Sequence, residues 1–104
     1  MIRQFDLVYY PSPRSRPIAP FLMVIQSHLY DEGPTLLVAP LFQMDPAALV
    51  TKVSLPVRHD GVGYILMLSE LGAIDRKAAG RVRGSLLAHE DDIRRALDRL
   101  FTGF

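Results

Sequence analysis

The sequence predicts a mostly β fold in which an antiparallel sheet closes in part and a single C-terminal helix covers its open face. Two observations favour this fold. Short segments rich in aromatic and branched residues are separated by turn residues at hairpin spacing, and residues 89–104 carry the pattern of an amphipathic helix. Several hairpins followed by one helix are typical of a sheet that packs one face under that helix. The 104 residues suffice for one domain, 1–104, with one core.

The first strand is predicted over Ile2–Tyr10, where aromatic and branched residues are frequent and the two faces alternate. The alternating residues are Phe5, Leu7 and Tyr9 on one face and Gln4, Asp6 and Val8 on the other. Residues 11–20 contain four prolines, which continue neither a helix nor a central strand. We therefore predict an exposed loop that carries Arg14 and Arg16.

A first hairpin is predicted from the apolar segment Phe21–Ser27 and the returning segment Thr35–Leu41. The breakers between them are Asp31, Gly33 and Pro34. Proline donates no ladder hydrogen bond, so Pro40 indicates that the second strand ends there or lies at a sheet edge.

A second hairpin is predicted from Thr51–Arg58 and Tyr64–Leu68. The turn between them, His59-Asp60-Gly61, contains an Asp-Gly pair, which favours the primed turns that match the twist of paired strands. Residues 71–74 are predicted as a loop with one apolar anchor. Residues 76–87 are predicted as either a short strand or a helical turn, since Gly80 and Gly84 weaken both interpretations.

The C-terminal helix is predicted from an apolar stripe and from the order of its charges. Acidic residues fill the first turn and arginines follow, as the helix macrodipole favours. Gly103 is a plausible helix terminator, and His89 stands where a cap is expected. The stripe comprises Ile93, Ala96, Leu97, Leu100 and Phe101. We expect its large members, Phe101 included, to be buried.

Composition excludes several classes of protein. A net charge of +1 gives no general attraction to nucleic acid or to an anionic membrane. The absence of cysteine excludes disulfides, a thiol nucleophile and a cysteine metal site. We find no signal peptide and no apolar run of about 20 residues, so we expect a cytoplasmic protein with no membrane partner.

No residue pattern indicates catalysis, a metal or a cofactor. His28, His59 and His89 lie at three separate turns without ligand spacing, and no nucleophile or phosphate-binding motif occurs. The basic residues form the best candidate binding surface, for nucleic acid or an acidic peptide, although a merely solvated face is the simpler interpretation. They are Arg14, Arg16, Arg76, Lys77, Arg81 and Arg83.

At this point the sequence resembles the CcdB family, the toxin half of a bacterial toxin–antitoxin pair that poisons DNA gyrase. The first matching block is FLMVIQSHLYDEGPTLLVAPL, residues 21–41, with its strand, Gln-Ser, turn and strand ending in Pro-Leu. The second is HEDDIRRALDRLFTGF, residues 89–104, with Asp-Ile, a following Ala and the terminal Phe-x-Gly-apolar motif. The hairpin segment LPVRHDGVGYILM, residues 55–67, is also similar.

The resemblance implies an SH3-like antiparallel barrel with a small side sheet, one C-terminal helix and a two-fold homodimer. It also implies that the protein acts by binding the gyrase A subunit and trapping its cleaved-DNA complex, with no sequence-specific DNA contact by the toxin alone. The implied gyrase-binding residues are Leu29, Tyr30, Asp98, Phe101, Thr102, Gly103 and Phe104. Thr102 departs from the family pattern, which has tryptophan there.

A second implied partner is a cognate antitoxin whose disordered C-terminal segment, often acidic, folds along the toxin. The basic residues named above are its candidate contacts. Two alternatives stay open at this point. One is a relative that keeps dimerisation and antitoxin binding but has lost gyrase activity, as Thr102 allows. The other is a ribonuclease of the MazF and Kid type, which shares the barrel and needs a general base and a cation, for which Arg14, Arg16 and His28 are the candidates.

Overall fold

The computed structural model describes residues 2–30, 33–45 and 51–103, and within them the chain forms seven strands and one α-helix. The strands are β1 Asp6–Tyr9, β2 Phe21–Val24, β3 Thr35–Gln43, β4 Ser54–His59, β5 Val62–Met67, β6 Gly72–Asp75 and β7 Gly84–Ser85. The helix, α1, is Glu90–Thr102. Short 3₁₀ turns occur at His28–Tyr30, Leu68–Glu70, Arg76–Ala78 and Leu87–His89.

The strands form one antiparallel sheet in the order β4-β5-β3-β2-β1-β7. The long strand β3 is shared, because its first half, Thr35 to Val38, pairs with β6 and its last residues, Leu41 to Gln43, pair with β5. The sheet therefore divides along β3 and curls into a half-barrel. The predicted mostly β fold with one C-terminal helix is confirmed.

The two end strands of the sheet meet where β4 ends and β7 begins. A Cβ placed on Gly84 would overlap the imidazole of His59, so the histidine ring lies directly against the β7 backbone. The hairpin that positions His59 has the predicted turn, with Asp60 at φ +50° and Gly61 at φ +75°. Both central residues are left-handed, which is the geometry that an Asp-Gly turn favours.

Both faces of the sheet are covered at β1, so residues of both alternating sets are buried. Asp6, Leu7 and Val8 are all buried. Leu7 belongs to a core that includes Ile93 of α1, whereas Val8 belongs to a second cluster on the opposite face, with Leu22, Val24, Leu36, Val38 and Ala79. The side chains of β1 therefore alternate between the two faces, as predicted, and β1 lies inside the sheet between β2 and β7.

Pro40 neither ends β3 nor lies at a sheet edge, and that expectation is wrong. The N–H of Ile25 donates to the Leu37 carbonyl, so by antiparallel alternation Leu22 and Pro40 form a non-hydrogen-bonded pair. The Pro40 nitrogen therefore faces away from β2. It lies on the other edge of β3, between Val38, which pairs with β6, and Leu41, which pairs with β5. A missing N–H costs no ladder hydrogen bond there.

The helix packs on the core through Ile93 and Ala96, which are fully buried, and through Leu97 and Leu100, which are partly buried. Phe101 is 66% exposed, so its predicted burial is wrong. The guanidinium of Arg99 reaches the carbonyl of Lys52, which precedes β4, and the last turn of α1 therefore lies beyond that strand.

His89 does not cap α1 with its side chain. Its Nε2 instead accepts the backbone N–H of Arg58 at 3.4 Å. The Leu87–His89 turn leads into the helix, and there Ser85 Oγ accepts the N–H of Leu87 at 3.1 Å. Among the described residues no helix is long and apolar enough to cross a membrane.

Candidate functional site

The C-terminal end of α1 is closed by two local hydrogen bonds. Gly103 adopts the left-handed conformation, φ +81°, and its N–H donates to the Arg99 carbonyl at 3.0 Å. The hydroxyl of Thr102 donates to the Asp98 carbonyl at 2.6 Å. These bonds satisfy carbonyls that a helix end leaves unpaired, so the last turn is ordered up to Gly103. The predicted terminator is confirmed.

This ordered turn presents a single large apolar side chain to solvent. Phe101 is 66% exposed, and Asp98, Thr102 and Gly103 beside it are also exposed. An exposed aromatic on a rigid helix end can contribute binding energy by burial, since little conformational entropy is lost when it docks. Phe104 lies outside the described residues.

Leu29 forms a second exposed apolar point, at 76% exposure, in the 28–30 turn. His28, the residue before it, lines a cavity together with Glu90 and Arg94, so this turn lies beside the first two turns of α1. Phe101 lies two turns further along the helix, about 10 Å from Arg94 at 1.5 Å per residue. Leu29 therefore lies near the N-terminal half of α1, whereas Phe101 lies in the last turn of that helix. The side chain of Tyr30 is outside the described part of the chain.

The cavity beside His28 has a volume of about 250 Å³ and carries balanced charges. Arg94 pairs with Glu90 at 2.8 Å, and the backbone N–H of Arg3 donates to the buried carboxylate of Asp6 at 2.7 Å. The Arg3 guanidinium lies 3.1 Å from Nε2 of His28. Because arginine only donates, Nε2 of His28 accepts in this contact. Two cations and two carboxylates favour neither an anionic nor a cationic ligand.

The candidates for general base and cation in a ribonuclease do not come together in one chain. His28 lies near Arg3, at the start of β1, whereas Arg16 donates to the carbonyl of Tyr10, at the end of β1. Arg14 lines a separate groove of about 290 Å³ with Tyr10, whose lining also includes Ile18, Phe42 and Glu70. Among the described residues no group of three histidines or carboxylates could hold a metal ion.

The basic residues do not form one patch. Arg76 donates to the carbonyls of Gly33 and Thr35 at 2.9 and 3.2 Å, at the start of β3. Arg83 lies over the ring of Tyr9 in β1. Tyr9 pairs with Phe21 of β2, and Phe21 pairs with Leu41 of β3. Six strand residues separate Thr35 from Leu41, about 20 Å. Lys77 and Arg81, both exposed, lie in the connection between these two places.

Two arginines distant in sequence converge on Tyr9. The guanidinium carbon of Arg83 lies 4.2 Å from the Tyr9 ring centroid and that of Arg16 lies 5.4 Å from it. Phe21 stacks on the same ring, with centroids 5.6 Å apart, and His59 and Tyr64 meet Phe21 edge-on. Sequence reasoning found no aromatic residue among the basic residues, because it did not recognise the two-residue strand β7 that brings Arg83 beside β1. We call Tyr9, Arg16 and Arg83 the Tyr9 cluster.

Comparisons with known proteins agree with this architecture. The family model described as CcdB protein matches residues 4–103, nearly the whole chain. No curated protein sequence matches. Among solved structures, one described as an endoribonuclease in complex with its cognate antitoxin from a mycobacterial species is similar in fold, with a TM-score of 0.70. The alignment has 6% sequence identity and covers 94% of this chain and 92% of that chain.

Proposed function

Since the chain belongs to the CcdB family, we propose that it is the toxin of a bacterial toxin–antitoxin module and that it poisons DNA gyrase by binding its A subunit. The single observation that carries the gyrase assignment is the exposed Phe101 on the ordered last turn of α1. A buried aromatic would be explained by the core alone. An exposed one, on a helix end that Gly103 stops, is available as an anchor for a partner.

The proposed gyrase surface is built on Phe101, Thr102, Gly103 and Asp98, with Leu29 as a second apolar contact. Tyr30 and Phe104 are proposed as further contacts from the family resemblance. A homodimer would present two copies of this surface to the dimeric gyrase A subunit. The mechanism is stabilisation of one state of the partner: a ligand that binds the cleaved-DNA complex more tightly than the resealed one accumulates the cleaved form. The toxin needs no catalytic group for this.

Position 102 favours one specific alternative. Thr102 lacks the large flat ring that the family has there, and its hydroxyl bonds to the Asp98 carbonyl of its own helix. Loss of an aromatic interface anchor commonly costs more than about 2 kcal/mol of binding free energy, roughly thirtyfold in affinity. The alternative function is therefore that of a relative which dimerises and binds antitoxin with weak or no action on gyrase.

The experiment is a DNA-cleavage assay with gyrase from the source organism, with wild type and Thr102→Trp side by side. Accumulation of cleaved DNA with wild type supports the gyrase function and indicates that Phe101 and its neighbours suffice. Accumulation with the Thr102→Trp variant alone supports the alternative, in which residue 102 is the lost anchor. If neither protein traps cleaved DNA, the gyrase assignment is wrong and the fold serves another activity.

The proposed antitoxin would neutralise the toxin through a disordered C-terminal segment that folds on the toxin surface. Arg14, Arg16, Arg81 and Arg83 are its proposed contacts, with Arg76 and Lys77 further along the β3 edge. Coupled folding and binding of this kind covers a wide surface, so that contacts about 20 Å apart can belong to one segment. Neutralisation is tested by adding the antitoxin to the cleavage assay.

A further inference from the structure

We propose that the Tyr9 cluster is a binding site for paired carboxylates of an acidic peptide segment, and that the segment belongs to the antitoxin. This inference rests on the proposed function for the identity of the partner, but not for the chemistry of the site. The site consists of two guanidinium groups, those of Arg16 and Arg83, arranged around the ring of Tyr9.

The two guanidinium groups are held in place without being neutralised. Arg16 Nε donates to the Tyr10 carbonyl at 2.7 Å, and both groups lie against the Tyr9 ring. In the described part of the chain neither makes an ion pair. Stacking on an aromatic ring leaves the edge of a guanidinium free, and that edge matches a carboxylate with two parallel hydrogen bonds. A positioned arginine loses less side-chain entropy on binding, which raises affinity.

The surroundings of Tyr9 favour a peptide carboxylate over single-stranded nucleic acid. Phe21 approaches the ring from β2 and Arg83 approaches it from β7, and these strands flank β1 on opposite sides. Tyr9 is 40% exposed, but Phe21 and the two guanidinium groups already lie against its ring, so a base that stacked there would have to displace one of them. The net charge of +1 also gives no general attraction for a phosphate backbone.

The Tyr9 cluster is separate from the end of α1 that carries Phe101. Phe21, which stacks on Tyr9, meets His59 edge-on. Arg58, the residue before His59, donates its backbone N–H to His89 at the start of α1. From His89 to Phe101 the helix rises about 18 Å. Along β4, from Lys52 near the helix end to His59, the distance is about 23 Å. Both routes place the two surfaces roughly 20 Å apart, so an acidic segment can occupy the cluster while a partner holds Phe101.

The test measures binding of a fluorescent hexaglutamate peptide at low ionic strength, with hexaglutamine as the uncharged probe. The double variant Arg16→Gln/Arg83→Gln is compared with Lys52→Gln/Arg95→Gln, which changes the net charge equally at exposed residues outside the proposed antitoxin contacts. We expect at least about tenfold weaker hexaglutamate binding for the first variant, as loss of charge-assisted hydrogen bonds predicts, and less than about twofold for the second. Arg83→Lys keeps the charge but loses the planar fork and should fall in between.

Equal weakening by the two double variants would overturn the proposal, because it would indicate general charge attraction. No hexaglutamate binding by wild type would also overturn it. Tighter binding of a uridine hexanucleotide, lost in Arg16→Gln/Arg83→Gln, would assign the cluster to nucleic acid instead. Gyrase binding is measured on the same proteins. If only Phe101→Ala loses gyrase binding and its hexaglutamate binding is unchanged, the two surfaces are separate. If wild type binds hexaglutamate but not gyrase, the result supports the Tyr9 cluster as a binding site and contradicts the gyrase function.

Discussion

The imidazole of His59 lies against the backbone of Gly84, and this contact joins the two end strands of the sheet. His59 ends β4 and Gly84 begins β7, so residues from the middle and the last third of the chain close the half-barrel. The same histidine meets Phe21 edge-on, with centroids 5.1 Å apart, and Phe21 stacks on Tyr9. The closure of the sheet and the Tyr9 cluster therefore depend on one another.

We predict that Gly84→Ala destabilises the fold by about 1–3 kcal/mol, because the added methyl must displace a ring packed at the sheet junction. Gly72→Ala is the matched control, since a Cβ at that strand glycine meets no atom within 4 Å. Urea denaturation measures both. In the His59→Ala variant, adding Gly84→Ala should no longer lower the free energy of unfolding. Equal effects of Gly84→Ala and Gly72→Ala would show that the contact does not constrain the fold.

The hairpin turn limits substitution at Gly61 for a different reason. A Cβ at Gly61 meets no atom within 4 Å, but its φ of +75° disfavours residues with a side chain. We predict a cost of about 1–2 kcal/mol for Gly61→Ala from backbone strain alone. Gly61→Asn should recover part of it, because asparagine tolerates this conformation. If Gly61→Asn is as unstable as Gly61→Ala in thermal denaturation, strain is not the cause.

Two apolar residues of α1 should differ sharply in their contribution to stability. Ile93 is fully buried, and we predict that Ile93→Ala costs about 2–5 kcal/mol and that Ile93→Asp, which buries an unpaired charge, unfolds the protein. Phe101 is exposed, and Phe101→Ala should change the unfolding free energy by less than about 0.5 kcal/mol. Guanidinium denaturation followed by circular dichroism compares them. A similar cost at both positions would mean that Phe101 packs in the core in solution.

Features set by local chemistry could be predicted from the sequence. The helix, its stop at Gly103 and the Asp60-Gly61 turn each depend on a few neighbouring residues, and all three are present in the structure. Features set by long-range pairing could not. Whether Val8 is buried depends on what covers the far face of the sheet, and whether Pro40 is tolerated depends on which side of β3 its nitrogen faces.

The candidate site divides in the same way. The end of α1 is exposed because the helix continues past β4, the strand beside it. The hydrogen bond from Arg99 to the carbonyl of Lys52, which precedes β4, reveals this, and the sequence pattern does not. The Tyr9 cluster combines side chains from β1, from the proline-rich loop and from the residue before β7. No periodicity in the sequence connects Arg16 with Arg83, because the connection is made through the sheet.

The affinity of the gyrase A subunit for wild type and for Phe101→Ala, measured by calorimetry, tests the central claim most directly. Because Phe101 contributes little to stability, its loss isolates its role in binding. We predict at least roughly thirtyfold weaker binding for Phe101→Ala, as for an interface anchor, and unchanged binding for Arg16→Gln/Arg83→Gln. Equal affinities of wild type and Phe101→Ala, or no binding by wild type, would contradict the proposal that this chain acts on gyrase through the end of its C-terminal helix.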